Sequence, residues 1–131
     1  MLDMLDSQIF TRIKTQFPEK AKKKYPNLKF TNSDRADTNP KFPTVYVHQM
    51  GSMEQGEDLT GENFNAALVT YQIEVSTNAK QSEAQDVMNY IVKIMKKMRF
   101  SIIAMPEFQN TTSVYRSVAR FRRMIGENDI L

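Results

Sequence analysis

Phe64-Asn65-Ala66-Ala67-Leu68-Val69-Thr70-Tyr71-Gln72-Ile73-Glu74-Val75-Ser76 decides the fold. Ala67, Val69, Tyr71, Ile73 and Val75 fall on one side of an extended chain, and Leu68, Thr70, Gln72 and Glu74 on the other. That is the period-two pattern of a strand with one buried face. The period then changes. Ala84, Val87, Met88, Ile91, Ile94, Met95 and Met98 recur at spacings of three and one, which predicts an amphipathic helix. Asn78 or Ser82 is placed to cap it, Ser82 with Gln85 at capping-box spacing. Lys93, Lys96, Lys97 and Arg99 crowd its far end, where cations complement the helix dipole. Met88, Met95 and Met98 on the stripe suit core filling, or in part a face turned to another subunit.

Upstream, Leu2, Leu5, Ile9, Ile13 and Phe17 form a second helical stripe, closed by Pro18. Glu19-Lys20-Ala21-Lys22-Lys23-Lys24-Tyr25-Pro26 reads as a basic connector with room for one more helical turn. Leu28-Lys29-Phe30-Thr31 is a short strand, and residues 31–43 a polar loop. Pro43-Thr44-Val45-Tyr46-Val47-His48-Gln49-Met50 is β-branched and aromatic, hence a strand. Residues 51–63 then carry Gly51, Gly56 and Gly61 among Glu54, Glu57, Asp58 and Glu62, and predict a long, flexible, acidic loop reaching to about residue 64. Downstream, Ser101-Ile102-Ile103-Ala104-Met105 is a short strand stopped by Pro106, with a turn over residues 107–111. A last strand spans about residues 113–125. Tyr115, Ala119, Phe121 and Ile125 share one of its faces, and Val114, Arg116, Val118, Arg120, Arg122 and Met124 the other. The expected fold is a single α+β domain, its sheet mainly antiparallel with a mixed sheet admitted, and two helices packed on one face.

With 131 residues the chain is long enough to bury a core of its own. Hydrophobic residues at 40% and charged residues at 25% are ordinary globular usage. The absence of cysteine removes disulfide scaffolds, thiolate metal sites and thiol nucleophiles, and a single histidine leaves little for zinc. A net charge of +3 permits contact with polyanions without requiring it. No stretch has the length of a membrane helix, and the acidic Met1-Leu2-Asp3-Met4-Leu5-Asp6 does not read as a signal peptide, so a soluble cytoplasmic domain is expected.

Tests for chemistry return little. A phosphate loop needs Gly-Lys-Ser/Thr, whereas Glu57 and Glu62 follow Gly56 and Gly61. The acidic loop offers hard oxygens, yet lacks the ligand order of a calcium loop. His48 has Tyr46 and Met50 as its strand neighbours and no carboxylate to orient it. Glu74-Val75-Ser76 has serine where a metal-dependent nuclease places lysine. No enzyme and no cofactor are expected. Arg116, Arg120 and Arg122 form a basic strand face, with Arg123 adding charge at the edge and Lys20, Lys22, Lys23 and Lys24 a second patch. Tyr115 and Phe121 project opposite to the three arginines, which disfavours base stacking but not phosphate contact. A small basic nucleic-acid-binding domain is therefore the alternative reading.

Phe42-Pro43-Thr44-Val45-Tyr46-Val47, the glycine-rich loop, Tyr71-Gln72-Ile73-Glu74-Val75, Met95-Lys96-Lys97-Met98-Arg99-Phe100 and Tyr115-Arg116-Ser117-Val118-Ala119-Arg120-Phe121 follow in an order that resembles the tail terminator (tail completion) proteins of long-tailed bacteriophages and related phage-derived particles. Small neck and head–tail joining proteins share much of this pattern. The resemblance implies a subunit of a hexameric ring on the tail tube, ending tube growth and offering a docking face to the filled head. Its implied partners are further copies of itself, the tail tube protein, a head-completion or neck protein, and DNA passing through the lumen, with no membrane. The implied location is the host cytoplasm during assembly, then the virion at the head–tail junction. Gly51, Glu54, Gly56, Glu57, Asp58, Leu59, Gly61, Glu62 and Phe64 are the expected subunit or tube interface, with Leu59 and Phe64 as apolar anchors. Its acidic groups could meet Arg116, Arg120 and Arg122 of a neighbouring subunit, a heterologous contact of the kind that closes rings. The acidity of the loop departs from the better-known members.

Overall fold

A computed structural model describes residues 2–32, 41–57 and 64–126. The strand that decides the fold is β3 (Phe64–Thr77), preceded by α1 (Leu2–Gln16), α2 (Glu19–Lys24), β1 (Lys29–Thr31) and β2 (Thr44–Glu57). After it come α3 (Gln81–Lys97), β4 (Ser101–Phe108) and β5 (Tyr115–Gly126). The strands form one five-stranded sheet in the order β1-β2-β3-β5-β4. β1 joins β2 in parallel, Phe30 beside Val45, and the other pairings are antiparallel. The sheet is thus mixed and mainly antiparallel, and the domain is α+β. The helix α3 carries the chain across from β3 to β4, leaving a slot that β5 fills, a split βαβ arrangement.

One face of the sheet holds the core. Val45 and Val47 of β2, Val69, Tyr71, Ile73 and Val75 of β3, and Ala119 and Phe121 of β5 are buried. They join Ile9 and Ile13 of α1 and the whole α3 stripe from Ala84 to Met95 in one cluster. Tyr71 meets Phe100 edge-on at 6.0 Å between centroids, and Phe17 lies 5.5 Å from Phe30 and 5.4 Å from Tyr90. Pro18 ends α1 as expected of a residue without an N–H. Its carbonyl then accepts from Ala21 and Lys22, both at 3.0 Å, and so starts the short α2 as a third helix.

Three local expectations are corrected. The loop expected over residues 51–64 is strand as far as Glu57, paired rung by rung with β3 to Glu57 beside Phe64. Gly51 sits where the register shifts between Met50 and Ser52, so the glycine accommodates a bulge inside the strand and does not end it. A strand as regular as β3 offers a complete row of backbone partners, and pairing outweighs the weak propensity of Ser52, Glu54 and Gln55. Next, neither Asn78 nor Ser82 caps α3; its N-cap is Lys80, with no side-chain bond. Thr77 Oγ1 donates to Glu83 Oε2 at 2.6 Å and accepts from the Ala79 N–H at 3.3 Å, which ties the entry turn to the first helical turn. Finally, β4 continues through Pro106 to Phe108. It is an edge strand, where an imino nitrogen facing outward removes no ladder bond, and register shifts on either side of Ala104 absorb the irregularity.

Candidate functional site

The sheet face opposite the core carries half-buried and exposed side chains around the buried Val118, and register places them in rows. Tyr46 stands beside Glu74 and Glu74 beside Val118. His48, Gln72 and Arg120 form the next row, and Met50, Thr70 and Arg122 the one after. Arg116, Arg120 and Arg122 therefore do share this face, as the alternation of β5 requires. Arg120 Nε donates to Gln72 Oε1 at 2.9 Å, Gln72 Nε2 donates to Glu74 Oε1 at 3.4 Å, and Arg116 Nε donates to Ser76 Oγ at 3.4 Å. The oxygens that hold Arg116 and Arg120 are thus neutral ones, and the carboxylate of Glu74 stands on the same face in the row between them. Tyr46 and His48 stack at 5.6 Å with 28° between ring planes, and the Tyr46 hydroxyl lies 3.2 Å from His48 Nδ1. This aromatic pair lies on the arginine face, two strands and about 10 Å from Arg120. The absence of aromatics from that side, inferred from β5 alone, does not hold for the sheet as a whole.

Gly51, Glu54, Gly56 and Glu57 of the expected interface belong to β2, and Phe64 opens β3 opposite Glu57. Asp58, Leu59, Gly61 and Glu62 lie outside the described residues. The segment is the far end of a ribbon whose two strands each have 14 residues, roughly 45 Å of extended chain. At the other side of the sheet, β4 pairs with β5 alone among the described residues. It exposes Ile103, Met105 and Phe108, with Met105 72% exposed. Isolated exposed apolar residues are ordinary, but a group of three on an unpaired edge is the usual sign of a contact surface.

Arg123 does not add charge to the edge. It is only 7% exposed, and its Nη1 donates to the Met98 carbonyl at 2.9 Å, holding the C-terminal end of α3 against β5. A second polar anchor joins α2 to α3. Tyr25 donates its hydroxyl to Asp86 Oδ2 at 2.5 Å, and Lys24 Nζ lies 3.2 Å from the same oxygen. The Tyr25 bond holds the Asp86 carboxyl below its ordinary range, Lys24 adding to the effect. Burial first, and then the bond to Asp86, push the Tyr25 phenol well above its ordinary value. Sequence reasoning missed both anchors, since each joins residues distant in the chain. Among the described residues no cluster of three or more His, Asp or Glu side chains could hold a metal. In the same residues no helix is long and apolar enough to cross a membrane. What the geometry offers is surface: a basic sheet face with an aromatic pair, an apolar edge strand, and a long ribbon. No protein-family model matches the sequence, and no curated protein matches it.

Proposed function

We propose that the chain is a structural subunit of a phage or phage-derived particle that caps the tail tube as a ring, ending elongation and presenting a face to the neck. The observation that carries this reading is the β4 edge. An eight-residue strand paired on one side only among the described residues, with Ile103, Met105 and Phe108 exposed, is the kind of edge that a neighbouring subunit covers. The opposite edge of the sheet is the three-residue β1, beyond which most of β2 lacks an outer neighbour among the described residues. Two different edges favour head-to-tail contact, which generates a ring where the rotation between subunits closes. The acidic end of the β2–β3 ribbon supplies the complementary charge for Arg116, Arg120 and Arg122 of the next subunit. The partners of such a ring are the tail tube protein and a head-completion or neck protein, with DNA crossing its lumen, assembled in the host cytoplasm and carried in the virion.

Sedimentation velocity over a wide concentration range tests the reading. A discrete species near six subunits, lost in I103E/M105E while circular dichroism stays unchanged, is the expected result. A closed dimer at all concentrations, or a ring indifferent to these substitutions, overturns it. The stacked Tyr46–His48 pair on the arginine face favours one second reading, a basic domain that binds single-stranded nucleic acid. There, affinity for a fluorescent oligonucleotide falls steeply with salt and falls again in Y46A; a flat salt response rejects it.

A further inference from the structure

At the β1 edge of the sheet, the last turn of α1, the short α2 and β1 border a cavity of about 400 Å³. Leu28, just before β1, and Phe30 within it lie two residues apart on one face of the extended chain. Both pack against the core and remain half-buried. With Pro26 and the ring of Tyr25 they make the apolar floor of the cavity. That floor is held in place. Phe30 meets Phe17 edge-on at 5.5 Å, the Leu28 N–H donates to the Tyr25 carbonyl at 3.0 Å, and the Lys29 N–H donates to the Pro43 carbonyl at 3.0 Å. The Tyr25 hydroxyl is committed to Asp86, which lines a neighbouring cavity, so the ring stands as a fixed apolar wall between the two. The rim is of another kind: Lys14 and Thr15 from α1, and Lys22 from α2. The Lys22 side chain is 34% exposed, which leaves its stem against the apolar wall and its ammonium at the surface. Its one ion pair is with Glu19 at 3.7 Å, and Glu19 is 82% exposed, so the pair holds weakly. Lys14 places its ammonium 5.4 Å from the centre of the Phe10 ring and forms no ion pair among the described residues.

We propose that this cavity binds a small amphipathic anion, an apolar body of about eight carbons that carries one carboxylate or phosphate head. The volume falls in the range of small-molecule sites, about 300–1,000 Å³, and a mainly apolar wall with a few polar groups is their usual make-up. Charge selects the sign of the ligand, because two ammonium groups at the rim attract an anion and repel a cation. The floor selects the body, because only a ligand with an apolar part removes Leu28 and Phe30 from water. An ammonium is a point charge with rotatable donors and accepts a carboxylate or a phosphate head alike. The basic connector before β1 thereby acquires a use that no other part of the fold assigns to it. The site lies at the β1 edge, opposite the β4 edge, and does not depend on ring formation.

The test is a titration of octanoate, below its micellar concentration, into the full-length protein at constant ionic strength, followed by methyl and aromatic resonances. Saturable shifts of Leu28 and Phe30 are expected, with the buried Ile91 of α3 unmoved. Hexanoate binds about tenfold more weakly, the scale of two buried methylenes, and acetate does not bind. K14Q and K22Q each weaken octanoate about threefold while circular dichroism stays unchanged. K97Q, at the exposed last residue of α3, leaves binding as it was. Tighter binding of octyl phosphate than of octanoate assigns a phosphate head, and the reverse assigns a carboxylate. Shifts that never saturate, equal binding of acetate, movement of Ile91 before Leu28, or equal loss in K97Q overturn the site. A short acidic peptide with a central leucine that shifts Leu28 and Phe30 where octanoate does not overturns it in favour of a protein partner. Sedimentation of the same samples reports assembly separately, so loss of this site and loss of the ring are distinguishable.

Discussion

Replacing Tyr25 by phenylalanine removes one hydroxyl and keeps the ring in the core cluster to which Tyr25 belongs. The hydroxyl donates to Asp86 Oδ2 at 2.5 Å. A hydrogen bond to a charged group is worth about 1.5–3 kcal/mol where water is excluded. The Asp86 side chain is 34% exposed, so water replaces part of the loss, and about 1–1.5 kcal/mol is expected at neutral pH. For a domain of this size that corresponds to a melting point lower by about 4–6 °C. Lys24 contributes little, because its side chain is 62% exposed. The pH dependence has a definite sign. Asp86 titrates lower in the folded state than in the unfolded chain, so its contribution is complete above the unfolded value near ~4 and is lost as pH falls through the folded value. Tyr25 titrates higher when folded, so its contribution is complete below about 10 and is lost as pH rises beyond that. Urea denaturation of the wild type, Y25F, D86A and the double variant, at pH 7 and at pH 2.5, gives the coupling energy directly. It should be about 1 kcal/mol at pH 7 and shrink in acid. Zero coupling at pH 7, or the same coupling at both values, refutes the assignment of a charge-assisted bond.

Ile91 is fully buried on the stripe that joins α3 to the sheet, and I91A should cost about 2–5 kcal/mol, read as a lower guanidinium midpoint with an unchanged slope. R123M keeps most of the side-chain volume but leaves the Met98 carbonyl without its 2.9 Å donor; a loss of about 1–3 kcal/mol is expected, and hydrogen exchange should show the last turn of α3 opening first. Neutral replacement in E57Q/D58N/E62Q should weaken self-association while leaving the monomer folded, and association unchanged at every salt concentration would reject the acidic contact.

The alternation of residues 67–75 and the stripe from Ala84 to Met98 were enough to place β3 and α3, because burial on one face leaves its period in the sequence whatever the partners are. Pairing leaves no such trace. Gly51 reads as a loop signal when taken alone and is a bulge once β3 lies alongside. Pro106 reads as a strand end, yet an edge strand tolerates it, and edge status is a property of the sheet. The basic face of β5 was legible for the same reason as its buried face. The aromatic pair beside it could have been inferred: Tyr46 and His48 alternate with the buried Val45 and Val47 exactly as Arg120 alternates with Phe121. When all the helices lie on one side, every strand's polar face is the same face.

The sequence by itself therefore determined the periodic elements, the one-sided core, and the chemistry that cysteine and histidine counts exclude. Only the tertiary structure decided which residues become neighbours across the chain. It moved Arg123 from the surface to the end of α3, joined Tyr25 to Asp86, and brought Lys14, Lys22, Leu28 and Phe30 to one cavity. The physical reason is that burial acts on each residue through its own polarity and so is written locally, whereas hydrogen bonds and clustered charges depend on register and crossover, which few residues specify individually.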